Sequence, residues 1–187
     1  AVVPRRTLLQ RAQGIDGPRR PIAANADLLV VVESLSNPAP RPTLIDRYLV
    51  AGRVGGLEPL IVLTKADQAD TQSAAQLADL YRQLGFTVLV GNAKDADFVE
   101  QVRAAIGAGL QHAAELRQCP ARVGQSGVGK STLARLLTGV DRAVGEVSEQ
   151  IGGRHTTSDP RLIPMLGGGA VVDTAGVRSL FLPALDA

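Results

Sequence analysis

A glycine-rich segment of this sequence fits the pattern G-x-x-x-x-G-K-[ST] and reads Gly124-Gln125-Ser126-Gly127-Val128-Gly129-Lys130-Ser131. In this pattern the glycines let backbone N–H groups wrap around phosphate oxygens, and the lysine reaches the β- and γ-phosphates. The Ser131 hydroxyl is a ligand type for Mg²⁺. A helix that begins at Lys130 would add its positive dipole end. The segment therefore predicts a P-loop that binds a nucleotide, with Thr132 as a further contact.

Apolar runs alternate with stretches of helical periodicity along residues 27–106. Runs that are apolar throughout are typical of parallel strands buried on both faces. Together they predict an α/β fold, a doubly wound and mainly parallel sheet covered by helices. The predicted strands are Asp27 to Glu33, Leu60 to Leu63 and Thr87 to Val90. One predicted helix begins after an N-cap Thr43, a second covers Thr71 to Leu84 with Gly85 as its C-cap, and a third covers Asp97 to Ile106.

Further elements are predicted on both sides of the P-loop. A strand over Cys119 to Val123 is expected before it, although Pro120 removes a ladder donor. A helix over Lys130 to Leu137 follows, and the polar stretch from Gly145 to Pro160 predicts a functional loop. The last elements expected are a hairpin of two strands, Leu162 to Leu166 and Ala170 to Asp173.

Composition favours a folded protein of the cytoplasm. Apolar residues make up 45% of the 187 residues and charged residues 20%, which are ordinary globular values. The longest apolar run, Leu28 to Val32, is too short to cross a membrane. Cys119 is the single cysteine and forms no internal disulfide or zinc site by itself. The early arginines are interpreted as a solvated leading segment, with a nucleic-acid contact left open; they are Arg5, Arg6, Arg11, Arg19 and Arg20.

Two short motifs at predicted strand ends point to a guanine base. In Thr64-Lys65-Ala66-Asp67 the carboxylate can accept hydrogen bonds from the guanine N1–H and 2-amino group, which adenine cannot offer, while the Lys65 stem covers the base. The alternative is an ordinary turn with a capping aspartate. In Asn92-Ala93-Lys94 the Ala93 N–H is suited to the guanine O6. All three lysines of the chain, Lys65, Lys94 and Lys130, lie in these motifs or in the P-loop.

A third strand-end motif, Asp173-Thr174-Ala175-Gly176, suits the phosphate side of the same site. Its carboxylate is a candidate for the Mg²⁺ shell, and its last N–H a candidate donor to the γ-phosphate. Because open α/β sheets bind ligands at the carboxyl ends of their strands, we expect these motifs to converge there.

The order of the motifs is circularly permuted, since the base motifs precede the P-loop instead of following it. Together with Ala23-Ala24-Asn25-Ala26-Asp27, Leu44-Ile45-Asp46-Arg47-Tyr48-Leu49-Val50 and Gly153-Arg154-His155-Thr156-Thr157, this order resembles the bacterial ribosome small-subunit-dependent GTPase A family. The resemblance covers nearly the whole chain. It implies a P-loop GTPase that binds GTP/GDP with Mg²⁺, is stimulated by the small ribosomal subunit and acts late in maturation of that subunit. The partners implied are the small ribosomal subunit and its rRNA.

The resemblance also implies domains beyond this chain. Members carry an amino-terminal OB-fold and a carboxy-terminal zinc domain, so zinc is expected only in a domain absent here. We therefore expect residues 1–24 to be a linker from a missing amino-terminal domain and residues 25–187 to be the GTPase domain. The expected protein is a cytoplasmic monomer with no membrane partner.

By resemblance, Thr157, in preference to Thr156, is the switch threonine that meets Mg²⁺ and the γ-phosphate. The expected metal ligands are thus Ser131, Thr157 and Asp173, and the expected catalytic groups include Lys130, Thr157 and Gly176. Ser158 and Ala175 depart from the usual threonine and proline of the family. Thr64 stands where asparagine is more general, which we expect to cost little because Asp67 makes the base contact.

The residue that orients the attacking water is a separate question, because Val177 stands where Ras-type enzymes have glutamine. Our hypothesis is that His155 takes this role, since an imidazole can accept a hydrogen bond at neutral pH. The alternative is a solvated loop histidine. Two rival functions stay open: a nucleotide-sensing module with negligible hydrolysis and a permuted GTPase for another ribosomal particle. A P-loop kinase is disfavoured, because its acceptor-binding lid would be rich in arginine and the stretch from Gly145 to Pro160 has one, Arg154.

Overall fold

A computed structural model of the chain describes residues 4–12, 18–111, 120–123, 127–130, 132, 133, 137, 161–164 and 170–173. Its centre is a six-stranded sheet with the strand order β5-β4-β3-β6-β8-β7. Five strands run parallel and β7 pairs antiparallel with β8. The strands are β3 (Leu28–Ser34), β4 (Glu58–Thr64), β5 (Thr87–Val90), β6 (Pro120–Val123), β7 (Arg161–Pro164) and β8 (Ala170–Asp173).

Helices cover both faces of this sheet. Every residue of β3 is buried, which requires apolar cover on either side. On one face, Leu29 and Ile61 pack with α1 (Pro42–Val54) and α2 (Thr71–Gln83). On the other face, Val30 and Val62 pack with α3 (Ala96–Gln111) and with Leu133 and Leu137, which are helical residues after the P-loop. The predicted doubly wound α/β fold is confirmed.

The start of α1 differs from its prediction. Thr43 was expected to be the N-cap, but the helix begins at Pro42 and its N-cap residue is Arg41, whose side chain makes no capping hydrogen bond. Proline suits this first position because its fixed φ is helical and its missing N–H would have had no helical partner. The prediction of a Thr43 cap is therefore wrong.

Other predicted boundaries are close to those observed. Helix α2 starts after an N-cap Asp70, whose side chain accepts a hydrogen bond from the Ser73 N–H over 2.8 Å. It ends at Gln83 with Leu84 as its C-cap residue, so the prediction of Gly85 as C-cap is wrong by one residue. Gly85 is the next residue and has the left-handed φ of +84° that favours glycine after a C-cap. Strand β5 has the predicted limits, and the predicted antiparallel hairpin of β7 and β8 is confirmed. Within the described residues, no helix has both the length and the apolarity needed to cross a bilayer.

Two strands were not predicted. Within the segment expected to be a linker, β1 (Leu8–Ala12) and β2 (Arg19–Ala24) form an antiparallel pair. Leu9 and Ala23 of this pair are buried in the same core as α1 and α2. The pair is therefore packed against the large sheet's helical layer and is not a detached connection.

Candidate nucleotide-binding site

The carboxyl ends of the parallel strands meet at one edge of the sheet. Strand β3 pairs with β4 so that Ser34 lies opposite Thr64, and β4 pairs with β5 so that Leu63 lies opposite Val90. On its other side, β3 pairs with β6, which leads into the P-loop. The two base motifs and the P-loop thus follow three strands that end at the same edge, where open α/β sheets bind ligands.

The described part of the P-loop has the backbone that its glycines predict. Gly127 and Gly129 have φ values of +82° and +92°, in the left-handed region that favours glycine. Lys130 is the first helical residue and is buried, with 8% of its surface exposed. The Leu133 N–H donates to the Gly129 carbonyl over 2.9 Å. This is a loop that turns directly into a helix N-terminus, an arrangement that fits a phosphate group.

Thr64 connects the base motif to this loop. Its side chain is fully buried, and its hydroxyl lies 2.6 Å from the Val128 carbonyl oxygen and 3.2 Å from that of Glu33. Since a hydroxyl has one proton to donate, the shorter contact to Val128 is the hydrogen bond. The structure thus gives Thr64 a positioning contact under the P-loop, and a direct contact with nucleotide stays a prediction.

Lys65 contacts the loop after β3, for which the sequence predicts no role in the site. Its backbone is left-handed, with φ 58° and ψ 37°, and its ammonium group donates to the Asn37 carbonyl. The neighbouring Pro38 faces the P-loop, since a Cβ placed on Gly127 would lie 3.7 Å from its ring. The loop after β3 therefore forms one wall of the site. In the sequence, Pro38, Pro40 and Pro42 predict only that the strand ends there.

Asp67 is exposed at the same edge, as a residue that binds a base requires. It lies in a single 3-10 turn, Ala66–Gln68, that directly follows Lys65. The turn is fixed to the end of β5, because the Ala66 N–H donates to the Gly91 carbonyl over 3.1 Å and the Gly91 N–H donates to the Leu63 carbonyl over 3.0 Å. The carboxylate is thus open to a ligand while its backbone is held in place.

The second base motif forms a closed turn at the start of α3. The Asn92 side-chain oxygen accepts the Lys94 N–H over 2.9 Å, and its carbonyl accepts the Asp95 N–H over 2.9 Å. Ala93 is buried beneath the P-loop, since a Cβ placed on Gly129 would lie 3.8 Å from the Ala93 Cβ. The structure therefore brings Ala93 to the site, uses the Asn92 side chain to shape the turn, and leaves Lys94 exposed.

The other predicted site residues are described only in part: the structure describes Asp173 and Thr132 but not the rest. Asp173 ends β8, and its backbone pairs with Arg122 at the same edge of the sheet. Thr132 is helical and half-buried. The predicted residues outside the described ranges are Gly124, Gln125, Ser126, Ser131, His155, Thr157 and Gly176.

Comparison with known proteins agrees with this geometry. The sequence matches the family described as RsgA GTPase over residues 2–183. The chain belongs to the RsgA GTPase family. Its similarity to that family includes the hairpin of β1 and β2, because the match starts well before β3.

Relatives within the RsgA family are similar over nearly the whole chain. The small ribosomal subunit biogenesis GTPases RsgA of Azotobacter vinelandii and Pseudomonas fluorescens are 41% and 42% identical over 187 residues, each alignment covering 97% of this chain and 51% of the relative. The chain thus spans about half the length of these relatives.

Solved structures show the same fold at lower identity. YjeQ from Thermotoga maritima superposes with a TM-score of 0.63 at 24% identity. The alignment covers 94% of this chain and 54% of the YjeQ chain. YloQ, described as a circularly permuted GTPase, has a TM-score of 0.60 at 24% identity, with 97% and 52% covered. The permuted order of the motifs in this chain thus agrees with the fold of a protein described as circularly permuted.

Proposed function

We propose that this chain binds GTP and GDP together with Mg²⁺ and hydrolyses GTP to GDP. The observation that carries the proposal is the hydrogen bond between Thr64 and Val128, which joins the base motif to the P-loop at one edge of the sheet. A P-loop by itself indicates only that phosphate is bound. A P-loop joined to a base motif indicates a nucleoside triphosphatase that selects its base. Membership of the RsgA GTPase family supports the same reaction.

Guanine selectivity is assigned to Asp67 and to the backbone of Ala93. An exposed carboxylate on a fixed turn accepts hydrogen bonds from the guanine N1–H and 2-amino group. Adenine has no donor at either position, so it would leave the carboxylate without partners. The stem of Lys65 covers the base, while its ammonium stays on the Asn37 carbonyl.

The phosphates are assigned to the P-loop backbone, Lys130 and the N–H of Gly176. Ser131, Thr157 and Asp173 are the proposed Mg²⁺ ligands, and the ion, when bound, offsets negative charge on the phosphate oxygens. Lys130 adds a positive charge that is shielded from water, which strengthens its attraction for the phosphates. The attacking water is assigned to His155, because the valine side chain of Val177 forms no hydrogen bonds.

The cellular role is proposed from the relatives, which are named for biogenesis of the small ribosomal subunit. We propose that the protein acts on that subunit and its rRNA in the cytoplasm, as a monomer. We also keep the proposal that zinc is held by a separate carboxy-terminal domain.

The decisive experiment is displacement of a fluorescent GDP analogue by GTP, ATP and XTP, with and without Mg²⁺. GTP should compete and ATP should not. In Asp67→Asn the preference should move to XTP, because xanthine replaces the 2-amino group by a carbonyl that accepts the new amide N–H. Asp70→Asn is the matched control, since Asp70 caps α2 and should leave base preference unchanged. Equal competition by ATP in the wild-type chain contradicts the assignment.

A nucleotide-sensing module is the second candidate, favoured by Val177 and Ala175 at positions that usually support hydrolysis. Single-turnover hydrolysis with small ribosomal subunits separates the two functions. Stimulated release of phosphate supports the enzyme, and loss of that stimulation in His155→Ala supports the assigned role of the histidine. Tight guanine binding without any phosphate release, with or without subunits, supports the module instead.

A further inference from the structure

Two arginines face each other across the hairpin of β1 and β2. The register pairs Leu9 with Ala23 and, after a bulge, Arg11 with Arg20. Directly opposite residues of an antiparallel pair have their Cβ atoms about 5 Å apart, and like charges at such positions are destabilising. Neither strand contains an acidic residue that would offset them. The hairpin therefore concentrates positive charge at a cost to its own pairing.

Charge is also segregated along the whole sequence. Residues 4–24 contain five of the twenty basic residues and one of the eighteen acidic residues, a net charge of +4. The rest of the chain has fifteen basic and seventeen acidic residues and a net charge of −2. The net positive charge of the protein therefore comes from this segment.

Four other arginines of the described residues have acidic partners. The ion pairs are Arg6–Asp27, Arg53–Glu58, Arg82–Asp79 and Arg103–Glu100. Among the described residues, no ion pair involves Arg11 or Arg20, and Arg20 is exposed while Arg11 is half-buried. These two guanidinium groups are available to an anionic partner.

The hairpin is held rigidly, so its arginines have a fixed position. Leu9 is fully buried, and the Leu8 N–H donates to the Gly55 carbonyl over 2.9 Å. Asn25 adopts a left-handed backbone with φ 56°, and its side chain accepts the Arg6 N–H over 2.8 Å and donates to the Pro4 carbonyl over 3.1 Å. A pre-ordered surface loses less entropy when a partner binds.

We propose that the hairpin of β1 and β2 is an RNA-docking surface, in which Arg11 and Arg20 bind phosphates of the RNA backbone. The proposal deepens the proposed function, since it rests on a ribosomal partner and names the surface that meets it. Arginine suits this partner because its planar fork binds phosphate through two hydrogen bonds at once. A phosphate between the two guanidinium groups also removes the repulsion that the register imposes.

The location of the hairpin leaves the nucleotide site free. Leu8 contacts the turn at Gly55, which leads into the amino end of β4, whereas the nucleotide motifs follow its carboxyl end. A seven-residue strand is about 20 Å long. RNA can therefore dock at the hairpin without blocking the binding of GTP or the release of GDP, and we expect this contact in both nucleotide states.

The test compares Arg11→Glu/Arg20→Glu with the control Arg47→Glu/Arg82→Glu, which makes the same charge change on exposed helical arginines. Binding to isolated bacterial small ribosomal subunits is measured by sedimentation between about 50 and 200 mM salt, with GDP and with a GTP analogue. The hairpin variant should lose about tenfold or more in affinity at low salt, and its salt slope should fall by about 2, one for each lost phosphate contact. The control should keep the wild-type slope.

Arg11→Gln/Arg20→Gln shows whether a loss of binding is due to misfolding. Because it removes the like-charge pair, this variant should melt no lower than the wild type. It should lose most of the RNA affinity as well. Extracted rRNA should displace the wild-type chain from the subunits.

The remaining outcomes decide against the proposal or against the function on which it rests. Equal slopes in the hairpin variant and the wild type overturn the docking surface, and so does wild-type binding that extracted rRNA does not displace, which indicates an acidic protein partner. Salt-dependent binding through the hairpin in a chain that hydrolyses no GTP leaves the surface standing and overturns the proposed hydrolysis. All variants should bind GDP as the wild type does.

Discussion

The Thr64 hydroxyl donates a hydrogen bond of 2.6 Å to the Val128 carbonyl, although 64 residues separate the two in the sequence. Both residues are fully buried, so water does not compete for this contact. The bond joins the proposed base-recognition motif to the P-loop. Such a contact fixes the relative position of two loops that lie far apart in the sequence.

Thr64→Val should weaken both stability and nucleotide binding. Valine has a similar shape but no donor, so the buried Val128 carbonyl loses its partner at a cost of about 1–3 kcal/mol. We expect the free energy of unfolding to fall by that amount in urea titrations, and the affinity for a fluorescent GDP analogue to fall about tenfold. Thr64→Ser keeps the hydroxyl and is the control. Wild-type GDP affinity in Thr64→Val would show that the bond does not position the P-loop.

Gly91→Ala should be destabilising because of close packing and not because of backbone strain. A Cβ at this position would lie 2.3 Å from the Phe98 ring, so either the ring or the turn must move. Overpacking of this kind costs about 1–3 kcal/mol. Because Gly91 also anchors the turn that contains Asp67, GDP affinity should fall in the same variant.

Two further variants test that explanation by chemical denaturation. Gly107→Ala is the matched control, since no atom lies within 4 Å of a Cβ placed at this position and α3 should gain about 0.5–1 kcal/mol from the better helix former. Combining Gly91→Ala with Phe98→Leu should cost less than the sum of the two single changes. Simple additivity of the two costs argues against the clash.

The sheet and the location of the site could be predicted from the sequence because their signals are local. Strand β5 has its predicted limits since an apolar run lies between Gly85 and Gly91. The P-loop is readable because its pattern requires particular residue types at close spacing, and at one of them, Gly129, the backbone is left-handed and favours glycine. These features depend on residue type at fixed spacing, which a single sequence displays.

Other features depend on contacts between distant residues, which spacing does not reveal. The hairpin of β1 and β2 is held in place because Leu9 and Ala23 pack into the core that contains α1, and the arginines around these two residues give the segment a polar composition. The contacts of Thr64 with Val128 and of Lys65 with Asn37 join segments 64 and 28 residues apart. The sequence predicted Thr64 and Lys65 as site residues but did not predict the residues that they contact.

Asp70 should make the stability of α2 dependent on pH in the acidic range. The Ser73 N–H holds the pKa of this carboxyl below its ordinary value of 3.8, so the charged form is favoured in the folded chain. Its contribution is therefore present above that value and is lost as the pH falls through the lower pKa of the folded state. Asp70→Ala should melt lower than the wild type at pH 7, with a smaller difference at the acidic end.

Asp70→Asn separates the cap from the charge, because asparagine caps helices about as well as aspartate. Melting temperatures from pH 7 downward should show that this variant keeps the helix without the acid-dependent loss due to residue 70. A wild-type and an Asp70→Asn curve that fall in parallel would mean that the charge of Asp70 contributes nothing.

Tyr81 should make the contact between α1 and α2 sensitive to alkaline pH. Its hydroxyl donates to Asp46 Oδ1 over 2.8 Å and lies 3.2 Å from the Pro42 carbonyl. Burial raises the pKa of the Tyr81 phenol well above its ordinary value of 10.0, and the hydrogen bond to Asp46 and the nearby carboxylates of Asp46 and Glu33 raise it further. The neutral phenol is therefore favoured in the folded chain.

Because this pKa is higher in the folded protein than in the unfolded chain, the stability that Tyr81 contributes is fully present below about pH 10. It is lost as the pH rises through the pKa that Tyr81 has in the folded protein. Tyr81→Phe should thus cost about 1 kcal/mol at pH 7, from the lost hydrogen bond, and the difference from the wild type should shrink above pH 10. Asp46→Asn should leave the pKa of Tyr81 above its ordinary value, because burial is the largest cause of the shift. Urea unfolding and tyrosinate absorbance measured together across this range provide the check, and ionisation of Tyr81 near pH 10 in the folded protein would contradict it.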